Sequence, residues 1–241
     1  MILKIKLVLK LEGLGLWGAG RESFEADTIT YKIRLKDGRE IPAIPGSYVK
    51  GLLRGWSYKL APLLSRAEII SSRINAECFA GATCGRCIIC QIFGASGGGL
   101  PPLSVTNFYP VTADKLAQVA KLRPEELTSR PDLIDQPRLS YSPHVRIEDS
   151  SGNAAMGGLY MLETVPPRTL FYGEVALQKH LLNGVKPGDA YLLILLAISQ
   201  LRFSYAGRRS RVEVRILPES DLKDALSDKR CAEVLGRLMM K

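Results

Sequence analysis

The sequence predicts an α+β fold, a ferredoxin-like sandwich with large insertions, from three observations. The chain opens with an amphipathic strand, in which the odd-numbered residues from Leu3 to Leu11 are apolar and charged residues alternate with them. Helical patterns with long apolar faces begin near residues 46 and 187. A strand pattern follows each helix, so that the unit of strand, helix and strand occurs twice. We expect one elaborated domain, because no low-complexity linker divides the 241 residues.

The first half of the chain contains a strand, a hairpin and a helix. After the opening strand comes the glycine-rich loop GLGLWGAG, and the next segment forms a hairpin about Asp37 and Gly38, a favoured two-residue turn. A helix begins near Gly46, with Ser47 as its N-cap. Helical spacing places five apolar residues on the buried face of this helix: Val49, Leu52, Leu53, Trp56 and Leu60.

The second half alternates strands and helices. LSVTNFYPV predicts a strand and ADKLAQVAKL a short helix, and the strand-rich segments 138–149 and 157–178 flank a mobile turn. A core helix over roughly 187–202 carries the longest apolar run, YLLILLAI, which is far too short to span a bilayer. A basic turn, a strand and a helix over about 219–239 end the chain, and we expect no membrane segment.

Four of the five cysteines lie close together in the segment CFAGATCGRCIIC. Cys78, Cys84, Cys87 and Cys90 offer four thiolates for a tetrahedral ion, which predicts a structural zinc site. The N-terminus lacks the features of a signal peptide, so we expect a cytoplasmic protein whose thiols stay reduced. The alternatives are small buried cysteines on a helix, a redox pair or an iron–sulfur cluster, although Gln91 replaces the usual proline of ferredoxin-type runs.

The charge of the chain indicates a polyanionic partner. Thirty-three Lys and Arg residues against 24 Asp and Glu residues give a net charge of +9, which favours nucleic acid ahead of a ribosomal or anionic-membrane role. Lys50 and Arg54 share a face near the start of the predicted helix, where the backbone amides and the helix dipole also favour an anion. They are candidate phosphate contacts, and a solvated basic face is the alternative.

Four segments follow one another as in the RAMP superfamily of CRISPR effector proteins. These segments are IPAIPGSYVKGLLR, CGRCIICQIFG, HVRIEDSSGNAAMGGLYMLETVPPRTLFYGEVAL and FSYAGRRSRVEVRI. The chain most resembles the backbone subunit that is repeated along type III interference complexes. The resemblance covers nearly the whole chain and implies a single domain over 1–241 with a palm like an RNA-recognition motif. It also implies a cysteine insertion at about 66–102 and a hairpin thumb at about 140–170.

The resemblance implies roles for individual residues. In this family the palm binds the CRISPR guide RNA, copies stack into a filament with other subunits, and the thumb kinks the guide at regular intervals. The implied RNA contacts are Ser47, Lys50, Arg54, Arg208, Arg209 and Arg211, with Met156 and Leu159 of the thumb as wedges between bases. Active subunits cut complementary single-stranded target RNA with an aspartate in the loop after the first strand. Here the matching residue is Asp27, acting with Mg²⁺ or another divalent ion.

Three functions stay open at this point. Asp27 is not directly preceded by the family's usual pair of glycines, so a catalytically silent RNA-binding scaffold in the same complex competes with a metal-dependent endoribonuclease. Glu22 and Glu25 are neighbouring carboxylates, and Asp27 itself can be an ordinary solvated side chain. A stand-alone enzyme that processes precursor guide RNA would need a general acid and base near the C-terminal glycine-rich loop, where AGRRSR has no histidine nearby. His144 and His180 are assigned no role.

Overall fold

A computed structural model of the chain describes residues 2–20, 22–24, 26–75, 77–79, 81–204 and 210–239. The elements follow each other from β1 to α6 in this order: β1 Ile2–Leu11, β2 Lys32–Arg34, β3 Glu40–Pro42, α1 Gly46–Arg66, α2 Ile88–Phe93, β4 Leu103–Val105, β5 Tyr109–Val111, α3 Leu116–Val119, β6 Ser140–Ile147, β7 Ala154–Thr164, β8 Leu170–Gln178, α4 Pro187–Gln200, β9 Val212–Ile216, α5 Lys223–Leu226 and α6 Lys229–Met239.

The main sheet is antiparallel, with β1 in its interior. Its strands lie in the order β4, β8, β1 and β9, and β5 also pairs with β8. In the register, Leu7 of β1 lies opposite Gly173 of β8 on one side and opposite Ile216 of β9 on the other. The structure thus confirms the prediction of a fold that combines helices with an antiparallel sheet.

One face of this sheet forms the main core. The odd-numbered side chains of β1 are buried against α1 and α4, where Leu53 and Ile194 have no exposed surface. This arrangement confirms the predicted apolar faces of β1 and α4. On α1, Val49 and Leu53 are buried as predicted, but Leu52, Trp56 and Leu60 are half-buried and Ser57 and Ala61 complete the buried face. The other face of β1 contributes Val8 to a second buried cluster with Tyr172 and Leu127, so that short 3₁₀ segments between α3 and β6 cover this part of the sheet.

The β2–β3 hairpin is present, but its turn differs from the prediction. The N–H of Leu35 donates to the carbonyl of Arg39 at 2.8 Å, so the loop consists of Lys36, Asp37 and Gly38. A two-residue type I′ turn requires a positive φ at both central residues, whereas here Gly38 has a φ of 90° and Asp37 does not share this conformation. The expected two-residue turn is therefore wrong, and a three-residue loop with a left-handed glycine replaces it.

The start of α1 also differs from the prediction. The N-cap is Pro45 and Gly46 is the first helical residue, so Ser47 lies within the first turn and makes no capping hydrogen bond. Instead, the side chain of Asn107 accepts the N–H of Gly46 at 2.9 Å. The N-cap prediction is wrong because the acceptor comes from the β4–β5 loop, which also approaches Gly46 so closely that a Cβ there would overlap the carbonyl oxygen of Thr106.

Gly46→Ala is therefore expected to lower the free energy of unfolding by roughly 2 to 3 kcal/mol, because the methyl group would push α1 away from the β4–β5 loop. Gly51→Ala is the matched control on the same helix, where a Cβ meets open space and alanine should stabilise by up to about 1 kcal/mol. Urea denaturation of both variants measures the difference. Equal effects of the two substitutions would contradict this account of the contact.

Two other elements are divided where the sequence predicts continuity. The expected helix over about 219–239 consists of α5 and α6, because Asp228 accepts the N–H of Arg230 on its side chain at 3.0 Å and starts a new helix. The predicted strand LSVTNFYPV consists of β4 and β5, which are separated at Asn107 where this residue turns to α1. At both interruptions a side-chain oxygen accepts a backbone N–H group at the start of a helix.

Candidate functional site

β6 and β7 form a separate two-stranded hairpin over the segment predicted as a thumb. Tyr141 lies opposite Glu163 and Val145 opposite Leu159, with a register shift beyond Val145. Its exposed large apolar side chains are Tyr141 at 44%, Val145 at 46%, Ile147 at 52%, Met156 at 106% and Leu159 at 70% of their full accessible surface. Because a protein rarely leaves so many large apolar groups together in water, the hairpin has the character of a contact surface.

Asp27 lies beside the base of this hairpin. Its Oδ2 atom accepts the N–H of Met161 at 2.6 Å, and the N–H of Thr28 donates to the carbonyl of Met161 at 3.3 Å. The segment thus pairs with β7, with a parallel bridge between Thr28 and Leu162. The Asp27 side chain is exposed. The structure therefore brings together the predicted carboxylate and the predicted thumb, which lie more than a hundred residues apart in the sequence.

Glu163 connects the hairpin to the segment that carries Asp27, and sequence reasoning missed it. Its side chain is 1% exposed, and its Oε1 atom accepts the N–H of Thr30 at 3.1 Å. Its Oε2 atom accepts bonds from Lys32 Nζ at 2.9 Å and from the hydroxyl of Tyr141 at 3.2 Å. The available signal was a glutamate within the otherwise apolar end of a strand, where a buried charge needs a partner.

Lys50 and Arg54 lie on the side of α1 that faces the segment between α2 and β4. Lys50 Nζ donates to the carbonyl of Leu103 at 2.8 Å, and Arg54 Nη2 donates to the carbonyl of Gly94 at 3.1 Å. Burial lowers the pKa of Lys50, and the charge of Arg54 lowers it further. Both cations thus hold this segment in place, while the several donors of each group remain compatible with a phosphate contact.

The other predicted RNA contacts are spread over the fold. Ser47 is exposed in the first turn of α1, which meets the sheet at the β4 edge. Arg211 is exposed just before β9, at the opposite edge, where its carbonyl accepts the N–H of Glu12 at 3.0 Å. The structure therefore separates Arg211 from the residues of α1. Arg208 and Arg209 lie outside the described residues.

The sulfur atoms of Cys78, Cys84, Cys87 and Cys90 converge at one point. All four lie within 4.8 Å of one another, with 3.3 Å between the Sγ atoms of Cys78 and Cys90 and 3.9 Å between those of Cys84 and Cys90. A tetrahedral zinc ion with Zn–S bonds of about 2.3 Å spaces its sulfur ligands about 3.8 Å apart. These four cysteines are close enough to hold one metal ion such as zinc.

The thiols of this cluster differ in their acidity. Burial opposes ionisation of Cys84, but hydrogen bonds from the backbone N–H groups of Arg86 and Cys87 outweigh it and lower the pKa of Cys84 to about 6. Burial raises the pKa of Cys87 to about 12, and it also raises the pKa of Cys90. A bound cation stabilises thiolates, so a metal at the centre would allow all four sulfurs to ionise together.

A family model described as the RAMP superfamily matches residues 14–212. The chain belongs to this superfamily. This confirms the resemblance that the order of the four sequence segments indicates, and it includes the cysteine cluster, Asp27 and the hairpin in the matched region of this RAMP protein. A search of curated proteins found no match.

Solved structures share the fold of this RAMP protein. A chain from the type III-B Cmr-beta cryo-EM structure of the apo state is 13% identical, with a TM-score of 0.53 over 90% of this chain and 98% of that chain. A chain from a type IV-B CRISPR complex is 18% identical, with a TM-score of 0.55 over 90% of this chain and 91% of that chain. At these identities the likeness shows the fold alone.

In the part of the chain that the structure describes, no helix has the length and apolar character needed to cross a membrane.

Proposed function

We propose that this RAMP protein is a guide-RNA-binding filament subunit of a type III CRISPR effector complex in the cytoplasm, and that it cleaves complementary single-stranded target RNA. The observation that carries the proposal is the position of Asp27, which is hydrogen-bonded to β7 at the base of a hairpin with exposed apolar side chains. Family membership and the shared fold with chains of type III-B and type IV-B complexes support assembly with further copies and other subunits.

The proposed palm is ferredoxin-like and similar to an RNA-recognition motif. The strand order β4, β8, β1 and β9 in the main sheet supports this. Along the chain, α1 comes between β1 and β4, and α4 comes between β8 and β9. In this arrangement the whole of 1–241 is one domain. The cysteine region at about 66–102 and the thumb at about 140–170 are insertions into it.

In this proposal the guide RNA binds through its phosphates and is kinked by the thumb. The phosphate contacts are Ser47, Lys50, Arg54, Arg208, Arg209 and Arg211, in keeping with the net charge of +9. Met156 and Leu159 insert between bases, and both side chains are exposed as this role requires. Unstacking a base step costs a few kcal/mol, which contacts to the phosphates offset.

The chain's contribution to cleavage is mainly orientation, because RNA carries its own nucleophile, the 2′-hydroxyl group. The N–H of Met161 fixes the Asp27 carboxylate where the hairpin leaves the domain, and a kink there aligns the 2′-oxygen with the leaving 5′-oxygen. When bound, Mg²⁺ would stabilise the charge that develops on the phosphate. Among the described residues, His, Cys, Asp and Glu side chains converge in groups of three or more only at the four cysteines.

The cysteine cluster has a structural role in this proposal. Four protein sulfurs complete a tetrahedral zinc site and leave no coordination position for a substrate. Zinc there would join the loop that carries Cys78 to the buried helix α2, where Ile88 and Ile92 have no exposed surface. The ion would thus stabilise the insertion beside α1 without taking part in cleavage.

Asp27→Ala is expected to reduce cleavage of a labelled complementary RNA by the reconstituted guide-bound complex at least about a hundredfold, because the oriented carboxylate is lost. Target affinity should stay unchanged, and wild type should produce regularly spaced cuts that require Mg²⁺. Asp27→Asn tests the charge alone, since an amide oxygen can still accept the N–H of Met161. Glu22→Gln, at an exposed carboxylate in the same loop, is the control and should leave cleavage unchanged.

A catalytically silent scaffold in the same complex is the second candidate. The observation that favours it is Ala26 directly before Asp27, where active members of the family carry glycine. Tight target binding with intact target RNA in both wild type and Asp27→Ala would assign this chain to the scaffold class. Cutting of precursor guide RNA by the isolated chain would instead support a processing enzyme.

A further inference from the structure

Among the large apolar side chains that the structure describes, Phe24 is the most exposed, at 107% of its full accessible surface. The other strongly exposed phenylalanines, Phe79 and Phe203, reach 60% and 61%. Phe24 lies three residues before Asp27. At this exposure the ring contributes no burial to the fold, and its face is accessible to a partner.

The turn that presents Phe24 is closed by hydrogen bonds. The N–H of Ser23 donates to the carbonyl of Ala26 at 2.9 Å, and the N–H of Ala26 donates to the hydroxyl of Ser23 at 3.1 Å. Ala26 is only 3% exposed, which anchors one end of the turn in the domain. Ser23 and Ala26 are thus joined by two hydrogen bonds, and Asp27 follows directly after Ala26.

Exposed apolar groups precede the contact between Asp27 and Met161 on both of the chain segments that meet there. Phe24 belongs to the loop before Asp27, and Leu159 belongs to the strand that contains Met161, the hydrogen-bond donor to Asp27. With a rise of about 3.3 Å per residue, Leu159 lies roughly 7 Å from Met161 along β7. A carboxylate whose two neighbouring chain segments carry an exposed ring and an exposed aliphatic group suits a ligand with flat apolar faces and charged links between them.

We propose that Phe24 stacks on a nucleobase of the target RNA next to the phosphate that Asp27 approaches. This inference rests on the proposed function and assigns a base-stacking residue to the same site. The Phe24 ring carries no charge that would attract a phosphate, whereas its face can stack on the face of a base. Every base has such a face, which allows stacking without sequence preference, as a subunit directed by a guide requires. Together with the thumb, the ring would hold adjacent nucleotides apart and favour in-line attack.

Photocrosslinking tests the contact independently of cleavage. The guide-bound complex is assembled with Asp27→Asn, so that the target stays intact, on targets that carry 5-iodouridine at each position in turn. We expect a crosslink to Phe24 at one position in each cleavage repeat, and we expect its loss in Phe24→Leu. Because the ring is fully exposed, Phe24→Leu should fold normally, which thermal unfolding checks.

Cleavage rates of two variants separate stacking by an aromatic ring from the presence of any large side chain at position 24. Since base stacking on an aromatic ring contributes about 1 to 3 kcal/mol, Phe24→Leu should slow cleavage about 5- to 150-fold, whereas Phe24→Tyr should stay within about twofold of wild type. The dependence of RNA affinity on salt should be unchanged in Phe24→Leu, because the ring neutralises no phosphate. Lys50→Ala is the comparison, and the proposed phosphate contact predicts a flatter salt dependence for it.

Each remaining outcome decides between the two proposals. Normal cleavage by Phe24→Leu, with no crosslink at Phe24, would overturn the stacking inference and leave the role of Asp27 intact. A crosslink at Phe24 in a complex whose wild type never cuts would retain the stacking and refute the nuclease. Failure of Phe24→Leu to assemble, with RNA binding by the single chain unchanged, would make Phe24 a contact to another subunit and overturn the inference.

Discussion

Glu163→Ala is expected to lower the free energy of unfolding by about 3 to 5 kcal/mol, since it breaks a buried ion pair from one side. Lys32 Nζ lies 2.9 Å from the Glu163 carboxylate, and the Lys32 side chain is only 20% exposed. Without its partner, this ammonium would lose the compensation for its desolvation. The N–H of the fully buried Thr30 would also lose its acceptor.

Glu213→Ala is the matched control for this prediction. The Lys10–Glu213 ion pair has nearly the same length, 3.0 Å, but both side chains are more than 40% exposed. Water solvates both charges when such a pair is broken, so we expect a change within about 1 kcal/mol. Urea denaturation measures both variants. Equal losses for Glu163→Ala and Glu213→Ala would show that burial of the carboxylate does not determine the stability of this contact.

The structural consequence of losing Glu163 should be local to the hairpin base. Its carboxylate joins Thr30 and Lys32 to β7, next to the hydrogen bond between Asp27 and Met161. In Glu163→Ala, amide hydrogen exchange should therefore become faster at Thr30 and Met161 than in α4. Glu163→Gln keeps an acceptor for Thr30 and should have an intermediate effect. In the proposed nuclease, both variants should slow cleavage while guide RNA remains bound through α1.

Patterns that are local in sequence predicted their elements well. The alternation in β1 and the apolar run in α4 each describe one buried face, which the structure confirms, and the helical spacing of α1 gives the side that packs on the core with Leu52, Trp56 and Leu60 half-buried at its margin. The cysteine cluster belongs to the same class, because all of its ligands come from one short segment. Periodicity and spacing work here because the residues concerned are neighbours along the chain.

The contacts that define the hairpin base are of another kind. Asp27 and Met161 are separated by 134 positions, and Thr30 and Glu163 by 133 positions, so no periodicity connects them. The resemblance to the RAMP superfamily indicated Asp27 and the thumb, but no pattern in the sequence predicted the contact between them. Glu163 remained unnoticed because a glutamate in a strand is ordinarily solvated, and only the folded chain reveals its three donors.

Long-range side chains also explain the errors at element boundaries. The acceptor at the start of α1 is Asn107, 61 positions away, and it also interrupts the strand between β4 and β5. A local rule assigns the N-cap to Ser47, because serine is a good cap and follows the Pro45–Gly46 break in the chain. The tertiary contact takes over this role. One asparagine thus accounts for two differences between the predicted and the observed elements.

Removal of a cysteine ligand is the other change with a large expected effect. Cys90→Ser should abolish zinc binding, because it removes one of the four sulfurs that converge within 4.8 Å of one another. Free zinc at a thousandfold excess over Kd contributes about 4 kcal/mol to the free energy of unfolding, and the variant should lose about this amount. Wild type treated with a chelator should become equally unstable, whereas Cys90→Ser should not respond to the chelator.

Cys231→Ser is the control for this experiment, because it changes the one cysteine outside the cluster. Cys231 is buried in α6 and contacts the carbonyl of Gly188 at 3.7 Å, far in sequence from the four convergent sulfurs. Elemental analysis should find about one zinc per chain in wild type and in Cys231→Ser, and none in Cys90→Ser. Wild type that contains no zinc, together with unchanged stability of Cys90→Ser, would make the four cysteines ordinary core residues. Because the site is proposed as structural, guide RNA should still bind Cys90→Ser at temperatures where this variant stays folded.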